Sequence, residues 1–300
     1  MAVIINSKTK KMTLVESAGQ AGKSTKRFKV KDYLRENVEH SLTVVIGELR
    51  MDTEYENEKH IKRFIKQRKS DGKDYRVVII DFKDRYEGVK AHNLDDLSSF
   101  RNKVITLGNP SMTNKQRAKL IEEVCLKYNN GLLIIDDCQD LLSTKIKGLG
   151  YAIIGTVVTN RSQSLDVILG FGSDILDVPI KVLENTSFFR LHYTPKSFTD
   201  AKVKTRLYNP QIFELAQSVC LNQYNGDEFV VVDMEHNKIF SCTEKEYVDG
   251  LSSLIIDRVS CVTTLKGLEQ FPFTNPTAYY LKQKHIPISN IYRDYRKNHG

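Results

Sequence analysis

The sequence predicts an α/β protein with a mainly parallel sheet and helices on both faces, plus a C-terminal extension. Three observations predict it. Unbroken apolar runs recur at Leu42-Thr-Val-Val-Ile46, Tyr75-Arg-Val-Val-Ile-Ile80 and Leu132-Leu-Ile-Ile135, as strands buried on both sides require. Stretches of helical spacing separate those runs. Two of the runs deliver an acid at their carboxyl end, Asp81 and Asp136.

The elements follow in order. Ala2–Ile5 and Met12–Val15 read as a hairpin joined by a Lys-rich turn, and a glycine-containing loop and a basic helical stretch lead to about Asn37. After the Leu42 strand, Glu54 to Lys69 has helical spacing at Ile61, Phe64 and Ile65. Lys103–Leu107 is strand-like, and Asn114 to Tyr128 is a helix with Leu120, Ile121, Val124 and Cys125 on one side. Gln139 to Lys145 reads as a short helix, Tyr151 to Val158 as a strand, and the stretch holding Leu165, Ile168 and Leu169 as a helix. Ile180–Leu183 and Phe188–Leu191 read as two short strands. Beyond Pro195 come a helix at Pro210–Leu221, a strand ending at Asp233, a turn at Glu235–Lys238 and a helix from about Glu244 to Asp257. Four segments are expected: 1–40, hairpin and glycine loop; 41–195, the core; 196–270, a completion of the core or a small subdomain; 271–300, a basic, Tyr-rich arm.

Bulk composition narrows the class. Three hundred residues, 40% hydrophobic and 27% charged, suit a globular chain with a sizeable core. No apolar run approaches the roughly 18 residues of a membrane span, and the first residues lack a secretory pattern. The expected setting is cytoplasmic, in a host cell's cytoplasm or associated with a virion, with no membrane partner. Five cysteines without a CxxC pair read as free thiols in a reducing compartment. A net charge of +8 permits contact with nucleic acid without demonstrating it.

Two segments carry the chemistry. In Gly131-Leu-Leu-Ile-Ile-Asp136-Asp137 an apolar strand delivers adjacent acids at its carboxyl end, where nucleotide hydrolases hold magnesium beside phosphates. Asp136 is then the metal ligand and Asp137 the base that polarises the attacking water. The competing reading makes both acids caps of the following helix. In Gly19-Gln-Ala-Gly22-Lys23-Ser24-Thr25, backbone amides can wrap phosphates, Lys23 can reach their oxygens and Ser24 can touch magnesium. Ser17 stands where such a loop has its first glycine, so a flexible basic loop is the alternative. A third set, Glu48, Asp81 and Lys83, fits the carboxylates and lysine of a magnesium-dependent nuclease, but leaves Asp136 and Asp137 without a role. His192 and His236 are isolated, with core and surface roles expected.

The stretch from Leu42 to Thr194 resembles the HerA–FtsK group of P-loop ATPases, DNA translocases and viral genome-packaging motors. The matching pieces are Val77 to Glu87 around Asp81, the Walker B-like Leu132 to Asp140, Gly155 to Gln163 as the sensor strand, and Asn185 to Leu191 as the late strand. The resemblance implies ATP and magnesium as cofactors, nucleic acid (DNA) as partner, a homo-oligomeric ring, and Asn160 or Gln163 sensing the γ-phosphate. It also exposes a departure. The group's phosphate loop follows the strand before the Asp81 strand, where this chain has Gly47-Glu-Leu-Arg-Met-Asp-Thr53 and no Gly-Lys-Ser. Either Gly19–Thr25 supplies the loop, or the chain is a non-catalytic scaffold of an assembly.

The arm from Phe271 holds Pro272, Pro276 and Pro287 among Tyr279, Tyr280, Tyr292 and Tyr295, and ends on Arg293, Arg296 and Lys297. Its prolines disfavour a continuous helix. Such a composition allows base stacking, packing on a neighbouring subunit, or a loose tail.

Overall fold

A computed structural model describes residues 40–47, 53–86, 100–136, 163–172, 174–192, 201–207, 209–221, 229–235 and 238–242, the backbone of 2–6, 11–15 and 89–90, and single positions between and beyond these. The strands are β1 (Ala2–Asn6), β2 (Lys11–Val15), β3 (Leu42–Ile46), β4 (Arg76–Ile80), β5 (Val89–Lys90), β6 (Lys103–Leu107), β7 (Gly131–Ile135), β8 (Leu165–Phe171), β9 (Phe188–His192), β10 (Phe229–Asp233) and β11 (Lys238–Phe240). The helices are α1 (Thr53–Ser70), α2 (Asn114–Lys127), α3 (Ile180–Asn185), α4 (Ala201–Lys204) and α5 (Pro210–Leu221).

The strands form one sheet in the order β2-β1-β11-β10-β9-β3-β8-β7-β4-β6-β5. From β9 through to β5 every neighbouring pair is parallel. The β10–β11 hairpin extends it antiparallel from β9, and the β1–β2 hairpin pairs onto β11. Pleating explains why the central strands are apolar throughout. Val44, Ile46, Val78, Ile80, Leu133 and Ile135 enter one core with Ile121 and Val124 of α2 and Phe213 and Val219 of α5. Val45, Val77, Ile79, Leu132, Ile134 and Ile168 enter the other, against Ile61, Phe64 and Ile65 of α1. Helices thus cover both faces, the arrangement a parallel sheet requires.

Three expected elements are corrected. Gly155, Thr156 and Thr159 are helical where a strand over Tyr151–Val158 was expected, and the strand is β8, Leu165–Phe171, where a helix was expected. Leu165, Ile168 and Leu169 mimic helical spacing, but Leu165, Val167, Leu169 and Phe171 line one face at period two. The polar break at Asp166 has a local cause: its carboxylate accepts from Ser41 N at 2.7 Å and Ser41 Oγ at 3.1 Å, tying β8 to the start of β3. Ile180–Asn185 is a helix, not a strand, with Pro179 at its N-cap and Val182 and Leu183 buried. The apolar run before residue 160 shows the general difficulty, since length and composition alone do not separate a buried strand from a buried helix.

The remaining strand expectations hold at β3, β4, β6, β7, β9 and β10, and both hairpins form. Glu246, Asp249, Gly250 and Ser253 are helical, within the helix expected there. The expected helix at Gln139–Lys145 and the arm at 271–300 lie outside the described residues. Among the described residues, no helix is long and apolar enough to cross a membrane.

The Asp166–Ser41 tie gives a direct check on the β3–β8 pairing. Asp166→Ala leaves the Ser41 N–H and hydroxyl without their acceptor and should cost about 1–3 kcal/mol in a urea unfolding series. Asp166→Asn keeps an oxygen acceptor there and should cost much less. An alanine variant as stable as wild type would refute the pairing's role.

Candidate nucleotide site

The carboxyl ends of β3, β8, β7 and β4 meet at one edge of the sheet, and the polar side chains collect there. β3 runs through Gly47 toward α1, and Asp136 follows β7 directly. Asp136 is buried, and its position depends on a glycine in β8: a β-carbon on Gly170 would lie 2.3 Å from Asp136 Oδ1. Only a residue without a side chain lets the carboxylate lie over β8.

A shared polar network surrounds Asp136. Its Oδ2 accepts from Arg85 Nη2 at 2.9 Å and from the Tyr86 hydroxyl at 3.1 Å. Arg85 Nη1 pairs with Glu54 Oε1 at 2.7 Å, in the first turn of α1. The Tyr86 hydroxyl accepts from Asn57 Nδ2 at 2.7 Å, and Asn57 Oδ1 accepts from Arg190 Nη2 on β9. Burial, and the Asp136 carboxylate beside it, push the Tyr86 hydroxyl up, so it stays protonated and donates. Burial lowers Arg190 to about 10, which leaves it charged at neutral pH.

Asp81 builds the loop that presents these groups. Its Oδ1 accepts from Lys83 N at 2.8 Å, and its Oδ2 from Arg85 N at 2.5 Å and Tyr86 N at 3.0 Å. The side chain is only 1% exposed. Its acceptors are thus spent on backbone amides, which makes it a loop organiser here. Glu48, its partner in the nuclease reading, lies outside the described residues, and Lys83 is exposed.

Gly19, Gly22, Lys23, Ser24, Thr25, Asp137 and Asn160 lie outside the described residues. The strand preceding the Gly19–Thr25 loop is β2, at the sheet's margin and five places from β3, roughly 24 Å at ordinary strand spacing. The strand next to β8 and one removed from β7 is β3. Gln163 lies just before β8, its carbonyl accepting from Asn130 N at 2.9 Å. That is the amino edge of the sheet, opposite Asp136, so the two are not brought together. The strand between β3 and β7 is β8, whose carboxyl end is Gly170–Phe171.

Sequence reasoning missed Arg85, Tyr86, Glu54, Asn57, Arg190 and Gly170. Arg190 carried a signal: an arginine inside Phe188-Phe-Arg-Leu-His192, a strand buried throughout, must have a buried partner. His192 closes β9 beside Gly47, where an added β-carbon would meet His192 Cβ at 2.6 Å. It is 1% exposed, and neither ring nitrogen has a hydrogen-bond partner.

Among the described residues no cluster of three His, Cys, Asp or Glu side chains could hold a metal by itself. Magnesium carried by a nucleotide asks for less, one or two carboxylates with phosphate and water oxygens. Buried Asp136, which brings hard oxygen donors to the carboxyl end of β7, fits that requirement.

No protein-family model and no curated protein sequence matches the chain. Solved structures do. The genome packaging NTPase B204 from Sulfolobus turreted icosahedral virus 2, in complex with sulfate, superposes with a TM-score of 0.51 at 18% identity, covering 67% of this chain and 95% of that one. The same NTPase in complex with ATP-gammaS gives 0.50 at 17%, covering 68% and 96%. B204, the DNA-packaging ATPase from Sulfolobus turreted icosahedral virus, gives 0.50 at 17%, covering 67% and 95%. The chain has the α/β fold of these P-loop NTPases, as the resemblance to the HerA–FtsK group implies.

Burial and the nearby Arg190 lower His192 from an ordinary 6.5 to about 3. Between those values the unfolded chain binds a proton that the folded chain refuses, so stability should fall as pH falls through that window. The slope from this group is up to about 1.4 kcal/mol per pH unit. His192→Asn should flatten the pH dependence of the unfolding free energy by one proton. Parallel pH curves for variant and wild type would contradict this.

Proposed function

We propose that the chain is a magnesium-dependent ATPase that acts on nucleic acid, DNA translocation or packaging being the work. One observation carries the reading. A buried acid, Asp136, ends the strand two places from β3, and a single guanidinium separates it from the first turn of α1. Nucleotide hydrolases of this strand order hold phosphates at that helix end and the metal on that acid.

In this reading Asp136 holds magnesium through its carboxylate, and bound magnesium supplies charge neutralisation to the phosphates. Tyr86 fixes the Asp136 carboxylate by donating to Oδ2, and Gly170 leaves it room. Asp137, as the next residue, is proposed as the base for water, and Asn160 as the γ-phosphate sensor. Gln163, at the amino edge of the sheet, has no part in the proposed site. Gly19, Gly22, Lys23, Ser24 and Thr25 remain proposed phosphate and magnesium contacts, delivered from outside the described residues. A homo-oligomeric ring on DNA completes the proposal, and the +8 net charge supports a polyanionic partner.

A second reading, a non-catalytic scaffold on the same fold, is favoured by one feature. The segment after β3 offers no lysine, and α1 opens with Glu54 and Glu56, charges that oppose phosphate at a helix N-terminus. Calorimetric titration with Mg·ATP separates the two. Heat of binding, with hydrolysis lost in Asp136→Asn by two orders of magnitude or more, is expected if the site is catalytic. Absence of binding by the wild-type chain would establish the scaffold instead.

A further inference from the structure

We infer that Arg85, from the loop after β4, is the phosphate-binding cation of this site, taking the place of the lysine that the segment after β3 lacks. The inference rests on the nucleotide-binding reading above and names the residue that makes it chemically workable.

Charge at the site sets the problem. The edge where a polyphosphate would lie presents Glu54 from α1 and Asp136 from β7, and His192 beside Gly47 is held neutral. Residues 47–54 read Gly-Glu-Leu-Arg-Met-Asp-Thr-Glu, with acids around the position where a phosphate loop places its lysine. Among the described residues, Arg85 lies between two carboxylates of this edge, at 2.7 Å from Glu54 and 2.9 Å from Asp136. Its side chain is only 17% exposed, so these pairs are shielded from bulk solvent.

The anchoring of Arg85 suits exchange of acceptors. Its backbone N–H is clamped by buried Asp81, and the adjacent Tyr86 is fixed through Asn57 and Asp136. The base of the side chain is therefore fixed, and the guanidinium at the end of its long arm bridges Glu54 and Asp136. One guanidinium facing two carboxylates leaves the trio with net charge −1. With its carboxylate engaged in holding magnesium, Asp136 would release Arg85 Nη2, and Arg85 would present a planar fork of donors matched to phosphate oxygens. Glu54 then acts as the competitor that draws Arg85 back when phosphate leaves. His192, nine-tenths buried or more with both ring nitrogens unpartnered, lies beside Gly47 where β3 leaves the sheet, its ring 5.4 Å from that of Phe229, and adds no cation to this edge.

Alternative roles for Arg85 predict a different sign. A guanidinium that only plugs the site would compete with nucleotide, so its removal would tighten binding. A phosphate-binding guanidinium makes removal weaken it.

The test is equilibrium binding of Mg·ATP, and of ATP without magnesium, to the full chain and to Arg85→Ala, Arg85→Lys, Glu54→Gln and Lys23→Ala. Arg85→Ala should weaken Mg·ATP by roughly 10- to 100-fold, the range for a lost charge-assisted contact. Arg85→Lys should fall between the two, since lysine keeps the charge without the fork. Glu54→Gln should tighten binding several-fold by removing the competitor, and it carries the test if Arg85→Ala folds poorly. Binding by Arg85→Ala equal to or tighter than wild type, or loss confined to Lys23→Ala, would overturn the inference and leave the nucleotide reading intact. Failure of the wild-type chain to bind Mg·ATP would overturn both.

Discussion

Insertion of β8 between β3 and β7 sets the spacing on which the carboxyl edge of the sheet depends. Strand neighbours lie about 4.8 Å apart, so one intervening strand puts the acid after β7 about two strand widths from the β3–α1 junction. An arginine fork can bridge that remainder, and Arg85 does so between Asp136 and Glu54. Two features of β8 make the insertion possible. Asp166 fastens its start to Ser41, and Gly170 clears its end for Asp136.

The network around Asp136 has unequal parts. Asp81 spends its acceptors on backbone amides and costs little to keep, because its charge is matched by three N–H donors. Arg190 is different. It is a buried guanidinium on β9 that reaches the site only through Asn57 and Tyr86. A buried charge is weak support for stability, since desolvation offsets attraction, yet removing one partner leaves the other exposed to the full penalty. The chain Arg190–Asn57–Tyr86–Asp136 therefore connects β9, α1 and β7 mechanically.

Much of the architecture was legible in the residues. β3, β4 and β7 are apolar at nearly every position, which only a two-sided burial explains, and both hairpins were marked by their turns. The reading failed where a polar residue served a local purpose. Asp166 interrupts β8 to satisfy Ser41, so the strand lost its unbroken run, and the apolar stretch before residue 160 took its place by default. At the site, Asp136 was legible because it ends a strand. Arg85 and Tyr86 were not, because what brings them to Asp136 is a turn organised by Asp81, and nothing in residue type or spacing shows that turn. Glu54 looked like an ordinary acid in a helix's first turn, where it complements the dipole. Its pairing with a residue 31 positions later appears only once the sheet is assembled.

The central claim is that the carboxyl edge around Asp136 receives a nucleotide with its metal. Hydrogen–deuterium exchange with and without Mg·ATP tests it most directly, since it reads protection position by position in the intact chain. The account predicts slowed exchange in residues 46–56, 81–86 and 135–138 and around 170–172, with the amino edge at Asn130 and Gln163 unchanged. Protection confined to the amino edge, or no change anywhere at saturating nucleotide, would contradict it.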